Sequence, residues 1–223
     1  SSLFAKTAEY EKLAHALSAP GACALFGLPG SGRAMVYAAL AKETGRFLCI
    51  VTPGEAEATR FAGDLNALGI PTAVFPARDY VLRPIEGTAR EYEYRRLSVL
   101  GDIVGGRLQA VCVPDEGLTQ STTPRAEFCT NTRTLHPGDT VPRTELTALL
   151  YNAGYARRAQ VDGPGQFSIR GDIVDLYAPD MKLPVRMEFW GDEIDTMHTF
   201  DLATQRREDP IEKIYVSPAR EVL

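Results

Sequence analysis

The chain has no apolar run near the roughly 20 residues that a membrane helix needs. It has no signal-peptide pattern either, so no membrane partner is expected. Positive charge is not in surplus: 24 Lys and Arg stand against 29 Asp and Glu, giving a net charge of -5. Phosphate backbones reward excess cations, so nonspecific nucleic-acid binding would need a local basic patch. Cysteines are few, and the four present (Cys23, Cys49, Cys112 and Cys129) lack metal-ligand spacing. No metal site is expected. Cys23, Cys49 and Cys112 lie in apolar runs, the setting of buried free thiols, which points to a reducing, cytoplasmic compartment. His15, His136 and His198 are scattered, and no serine sits in a G-x-S-x-G context. Nothing therefore predicts a catalytic triad. Internal repeats and low-complexity tracts are also missing. The chain starts at Ser1 without Met and stops at Leu223 after a strand-like run, so a piece of a longer protein is expected.

What is present is an ordinary globular composition, 44% hydrophobic and 24% charged over 223 residues, enough for one large domain or two small ones. The first half alternates helix and strand patterns. Helices are predicted over 8–18, 33–42, 55–68 and 89–103. Strands are predicted over 22–26, 47–51, 72–75 and 108–113. That alternation implies a parallel sheet covered on both faces. After about Pro124 the grammar changes. A turn-rich segment over 125–143 leads to a helix over 144–152. Short strands follow over 156–161, 166–170, 173–177, 185–190 and 195–200, punctuated by Gly-rich turns. One more strand, 214–216, could return to the first domain. The expected division is 1–123, 124–204 and 205–223.

The stretch Gly27-Leu28-Pro29-Gly30-Ser31-Gly32-Arg33-Ala34 has the glycine spacing of a phosphate loop, G-x-x-x-x-G-K-[ST]. Its two working side chains are missing. Arg33 replaces the lysine that reaches the terminal phosphates, and Ala34 replaces the hydroxyl that ligates Mg²⁺. Gly27, Gly30 and Gly32 leave a frame with backbone donors but no way to hold a metal. Asp115-Glu116, after an apolar strand, could mimic a metal-binding pair, although a solvated loop explains it better. Tyr92, Tyr94, Arg95 and Arg96 mix aromatic and basic residues on one helix. They offer either nucleic-acid contact or, the preferred reading, a half-buried helix with a charged flank.

The most informative block is Gln166–Tyr177 followed by Val185–Asp195. Period-two alternation puts Arg170, Arg186 and Trp190 on one face, with Met187 and Phe189 opposite. Arg and Trp dominate interface hot spots. A solvated charged face with Trp190 as a core anchor is the alternative, and composition leaves the two even.

The runs Gln166-Phe-Ser-Ile-Arg-Gly-Asp-Ile-Val-Asp-Leu and Arg186-Met-Glu-Phe-Trp-Gly-Asp-Glu-Ile-Asp resemble the signature shared by UvrB and the bacterial transcription-repair coupling factor. The similarity continues through Thr204-Gln205-Arg206 to Val216-Ser217-Pro218-Ala219. The resemblance implies a helicase-like α/β domain with a degenerate phosphate loop, interrupted by an inserted α+β domain with antiparallel strands that binds UvrA. By position, Arg170, Arg186 and Trp190 would contact UvrA, with Trp190 where the family often has Phe. Asp192 and Glu193 would shape the turn or orient the arginines. The lost phosphate loop, and a Tyr80–Thr88 stretch too short for UvrB's DNA-clamping hairpin, favour the coupling factor. No cofactor is then expected in this chain. ATP, Mg²⁺, RNA polymerase and DNA would belong to domains beyond Leu223. The resemblance implies a non-enzymatic docking module for nucleotide excision repair. Two alternatives remain at this point: a divergent UvrB-like ATPase using Arg33 with Asp115 and Glu116, and a DNA-binding module using Tyr92, Tyr94, Arg95 and Arg96.

Overall fold

The structure is a computed structural model that describes residues 7–78 and 88–221. The chain divides into two compact units. The first holds the residues up to Arg78 and Gly105–Gln120; the second holds the helix ending at Val104 and everything from Ser121 onward.

The first unit contains α1 (Ala8–Ala16), α2 (Gly30–Thr44), β1 (Leu48–Thr52), α3 (Glu55–Ala67) and β2 (Thr72–Val74). The chain then passes through α4 (Thr88–Val104) of the second unit and returns with β3 (Ala110–Pro114) and the short α5 (Asp115–Leu118). Its sheet is parallel, with order β1-β3-β2. Helix α2 stops at Gly45, whose φ of 62° supplies the left-handed cap that a Cβ would strain. In α3, Ala58, Phe61 and Leu65 recur at three- and four-residue spacing and are all buried. They meet Ala34, Ala38 and Ala41 of α2, and the small alanines let the two helices approach closely over Ala110 and Cys112.

The strand expected over 22–26 does not form. That segment is irregular, with Phe26 87% exposed. Ala22 and Ala24 are poor strand formers, and no neighbouring strand offers a hydrogen-bonding ladder. β1 is therefore an edge strand whose Cys49 and Val51 are exposed, whereas every residue of the central β3 is buried. The thiol expectation changes with it: Cys23, Cys49 and Cys129 are exposed and only Cys112 is buried. Burial first, and the neighbouring Cys49 second, push the Cys112 thiol up to about 11.

In the second unit, α4 is followed by α6 (Arg125–Thr130), β4 (Arg133–Leu135), α7 (Arg143–Asn152) and β5 (Ala156–Arg157). Then come β6 (Gln166–Arg170), β7 (Ile173–Tyr177), β8 (Val185–Trp190), β9 (Glu193–Phe200), β10 (Arg207–Pro210) and β11 (Ile214–Val216). Six strands form one sheet in the order β10-β9-β8-β7-β6-β5, antiparallel except for the β5/β6 pair. Gly171 and Gly191, at φ of 60° and 64°, open the two-residue hairpin turns that fix this register. One face of the sheet buries Phe167, Val174, Leu176, Met187 and Phe189 against Leu146 and Leu150 of α7.

Several details depart from expectation. The segment 125–143 contains a helix and a strand, β5 is shorter than read, and the charged β10 carries no apolar signal. β11 pairs with β4, inside the second unit, and not with the first. After β11, Glu221 forms a fully buried ion pair with Arg96 of α4 at 2.7 Å, and its backbone N–H donates to Glu93 Oε1 at 2.9 Å. Of the stretch Tyr80–Thr88, read as too short for a DNA-clamping hairpin, residues 80–87 lie outside the described residues.

Candidate functional site: an arginine and tryptophan face

The sheet face away from the α7 core carries the candidate site. Strand register places Ser168 and Arg170 of β6 beside Asp175 and Ile173 of β7, then Arg186 and Glu188 of β8, then His198 and Thr196 of β9. Trp190 closes the row at the β8 end, paired with Glu193. Its side chain is 84% exposed, so it is no core anchor. Met187 and Phe189 are buried on the other face, as alternation requires.

Asp175 organises the arginines. It has no exposed surface, yet it accepts from both. Arg170 Nη2 donates to Oδ2 at 2.7 Å, Arg186 Nε to Oδ1 at 2.6 Å, and Arg186 Nη2 to Oδ2 at 2.9 Å. Ser168 Oγ adds a long 3.4 Å contact. Two guanidinium groups on one carboxylate leave a surplus of positive charge at the surface. The two arginines are not equivalent. Arg170 is 46% exposed and presents free edge to solvent, whereas Arg186 is only 12% exposed. The remaining Arg186 donors go to Gln205, to its carbonyl at 3.3 Å and its Oε1 at 3.1 Å. Its guanidinium also lies 4.5 Å from the Phe200 ring centroid, a cation–π contact.

Gln205 is held in position by strain and hydrogen bonds. Its φ of 61° makes it the one described non-glycine residue in the left-handed region. Asp201 caps the turn that forces this conformation, accepting from the Thr204 N–H and hydroxyl at 2.7 and 2.8 Å. These bonds favour its charged form and hold the Asp201 carboxyl below its usual range. Deeper on the same face, His198 is buried with Nε2 unpartnered among the described residues. Desolvation lowers its pKa, and Arg186 lowers it further, while Asp175 opposes both.

Asp192 and Glu193 do not orient the arginines. They belong to the turn, where the Asp192 carbonyl accepts from Val141 N–H at 2.7 Å and Glu193 bridges Thr140. Asp175 and Gln205 perform that role, and sequence reasoning assigned it to neither. The signal for Asp175 is a lone acid inside the apolar run Ile173-Val174-Asp175-Leu176-Tyr177.

The other candidates are dispersed. In the glycine-rich stretch, Gly27 has φ 81° and α2 begins at Gly30. Ala34 is buried in the alanine core, and Arg33 lies 3.7 Å from Glu57 in a part-exposed ion pair. Asp115 and Glu116 are exposed in the first turn of α5, where Asp115 Oδ1 accepts from the Glu116 N–H. Among the described residues, no group of three or more His, Cys, Asp or Glu could hold a metal ion. No described helix is long and apolar enough to cross a membrane. On α4, Arg96 is fully buried against Glu221, and the Tyr94 hydroxyl donates to the Pro164 carbonyl. The four-residue nucleic-acid cluster is thus broken up by internal bonding; only Tyr92 and Arg95 remain together, the guanidinium 5.7 Å from the ring.

Residues 134–222 match the UvrB interaction domain family. A transcription-repair-coupling factor of Mycobacterium tuberculosis is 35% identical over 186 residues, covering 80% of this chain and 15% of that protein. One from Bacillus subtilis is 28% identical over 201 residues, covering 89% and 17%. The UvrABC system protein B of Chlorobium limicola is 26% identical over 212 residues, covering 88% and 31%. The chain therefore spans less than a third of the length of each of these relatives. It is a UvrB-like module. Within that class it stands with the N-terminal UvrB-like modules of transcription-repair coupling factors.

Proposed function

We propose that this module recruits UvrA through the arginine and tryptophan face and performs no ATP chemistry of its own. The observation that carries the reading is the exposed Trp190 on the same sheet face as Arg170, a face whose cations are held by a buried carboxylate. Trp and Arg are the residue types that dominate interface hot spots. Arg170 meets a UvrA carboxylate through charge-assisted hydrogen bonds, and Trp190 inserts as the apolar anchor. Arg186 contributes its charge, and its clamp on Asp175 steadies the carboxylate that holds Arg170.

The helicase-like unit acts as scaffold. Ala34 supplies core packing where a phosphate loop needs a hydroxyl for Mg²⁺, and Arg33 is engaged with Glu57. In this reading no cofactor binds here; ATP and Mg²⁺, RNA polymerase and DNA are handled by other domains of a longer cytoplasmic protein. The test is a titration of UvrA with the purified chain. Arg170→Ala and Trp190→Ala should each cost about 2 kcal/mol of binding. Binding that survives Arg170→Ala combined with Arg186→Ala, in a folded double variant, sinks the assignment.

A further inference from the structure

Behind the sheet, on the side opposite Trp190, the second unit carries an open groove of ≈ 540 Å³. Thr147, Ala148 and Tyr151 of α7 form one wall, and Ile169, Gly171 and Arg157 form the other. The Tyr151 ring stands edge-on against Phe167, centroids 5.4 Å apart at 81°, which fixes the ring while half of it stays exposed. Arg143 closes one end, held by the Gly171 carbonyl at 2.7 Å and Asp172 Oδ1 at 2.6 Å. Arg157 is exposed, and among the described residues its side chain makes no ion pair or hydrogen bond. The next residue, Arg158, is exposed as well. Asp172 offsets the charge of Arg143 at that end, and Arg157 supplies a cation, unpaired among the described residues, beside the apolar residues Ala148 and Ile169.

We propose that this groove binds an acidic polypeptide segment in extended conformation. An extended segment sends alternate side chains to opposite sides. One set rests on Ala148 and Ile169 while a carboxylate between them reaches Arg157. The Tyr151 hydroxyl offers a donor to a backbone carbonyl. Duplex DNA fits the site less well: the floor is apolar, and phosphate recognition draws on more cations than these. The site does not depend on Arg170 or Trp190, which lie on the other face, so it stands whether or not that face docks UvrA. The module becomes a two-sided adaptor.

The test is fluorescence anisotropy of the folded chain with a fluorescein-labelled decapeptide alternating Glu and Leu, alongside a labelled DNA duplex. Saturable peptide binding is expected, weakened about tenfold or more by Arg157→Glu and unchanged by Trp190→Ala, with amide shifts in NMR at Thr147, Ala148 and Ile169. Arg157 is exposed, so its variant should fold, which circular dichroism checks. Absence of saturable binding, or binding that Arg157→Glu leaves intact, overturns the proposal. Tighter binding of the duplex than of the peptide, with the same dependence on Arg157, also overturns it, in favour of a nucleic-acid groove.

Discussion

At Asp175, a carboxylate with no exposed surface accepts from two arginines, one of them half in water. Removing its charge leaves two cations facing each other across a partly dry cluster. Asp175→Asn should therefore destabilise the second unit by about 3 kcal/mol, and UvrA affinity should fall with it, because Arg170 loses its anchor. Chemical denaturation alongside the binding titration checks both; a variant of native stability and native affinity would show that Asp175 is not the organiser. His198 adds a pH dependence. Its folded pKa lies below the ordinary 6.5 because burial and Arg186 disfavour its charge. Below pH about 6.5 the unfolded chain binds the proton first, so stability falls on acidification until the folded pKa is passed. Denaturation midpoints at pH 7 and pH 5.5 should differ less in His198→Gln than in the parent chain. Thiol reactivity separates the cysteines: Cys23 and Cys129 should alkylate first, and Cys112, buried and raised to about 11, last.

Elements were legible where alternation or helical spacing was strong. The strands over 166–170, 173–177 and 185–190 are legible with their exact bounds, because Ser168, Arg170, Arg186 and Glu188 alternate with apolar residues and the Gly171 and Gly191 turns mark the strand ends. The apolar run over 22–26 misled, since composition cannot say whether a partner strand exists. β10 escaped notice because Arg207-Glu208-Asp209-Pro210 has an edge strand's charge and none of a core strand's pattern. The arginine and tryptophan face was visible through parity alone, but Asp175 and Gln205 were not. Their roles come from cross-strand register and a strained turn, neither of which is written in local spacing. Helix α4 carries the prediction at this scale. Arg96→Ala strips a fully buried Glu221 of its bidentate partner and should cost about 3–5 kcal/mol. Thermal unfolding that hardly moves would contradict this.

For the whole molecule, the account separates two jobs. The parallel-sheet unit keeps a glycine-rich turn whose neighbouring residues now pack and pair; the antiparallel unit presents charge and an exposed aromatic. On the proposed reading the first unit binds no nucleotide, so millimolar ATP with Mg²⁺ should leave its melting temperature unchanged. A clear upward shift, lost in Arg33→Ala, would restore the ATPase reading. The central claim is the docking face, and isothermal titration of purified UvrA with the chain, its Arg170→Ala/Trp190→Ala variant and the groove variant Arg157→Glu tests it most directly. Saturable binding by the parent chain is expected, with loss of at least about tenfold in the double variant and parent-like affinity in Arg157→Glu. Parent-like affinity in a folded Arg170→Ala/Trp190→Ala variant would contradict it.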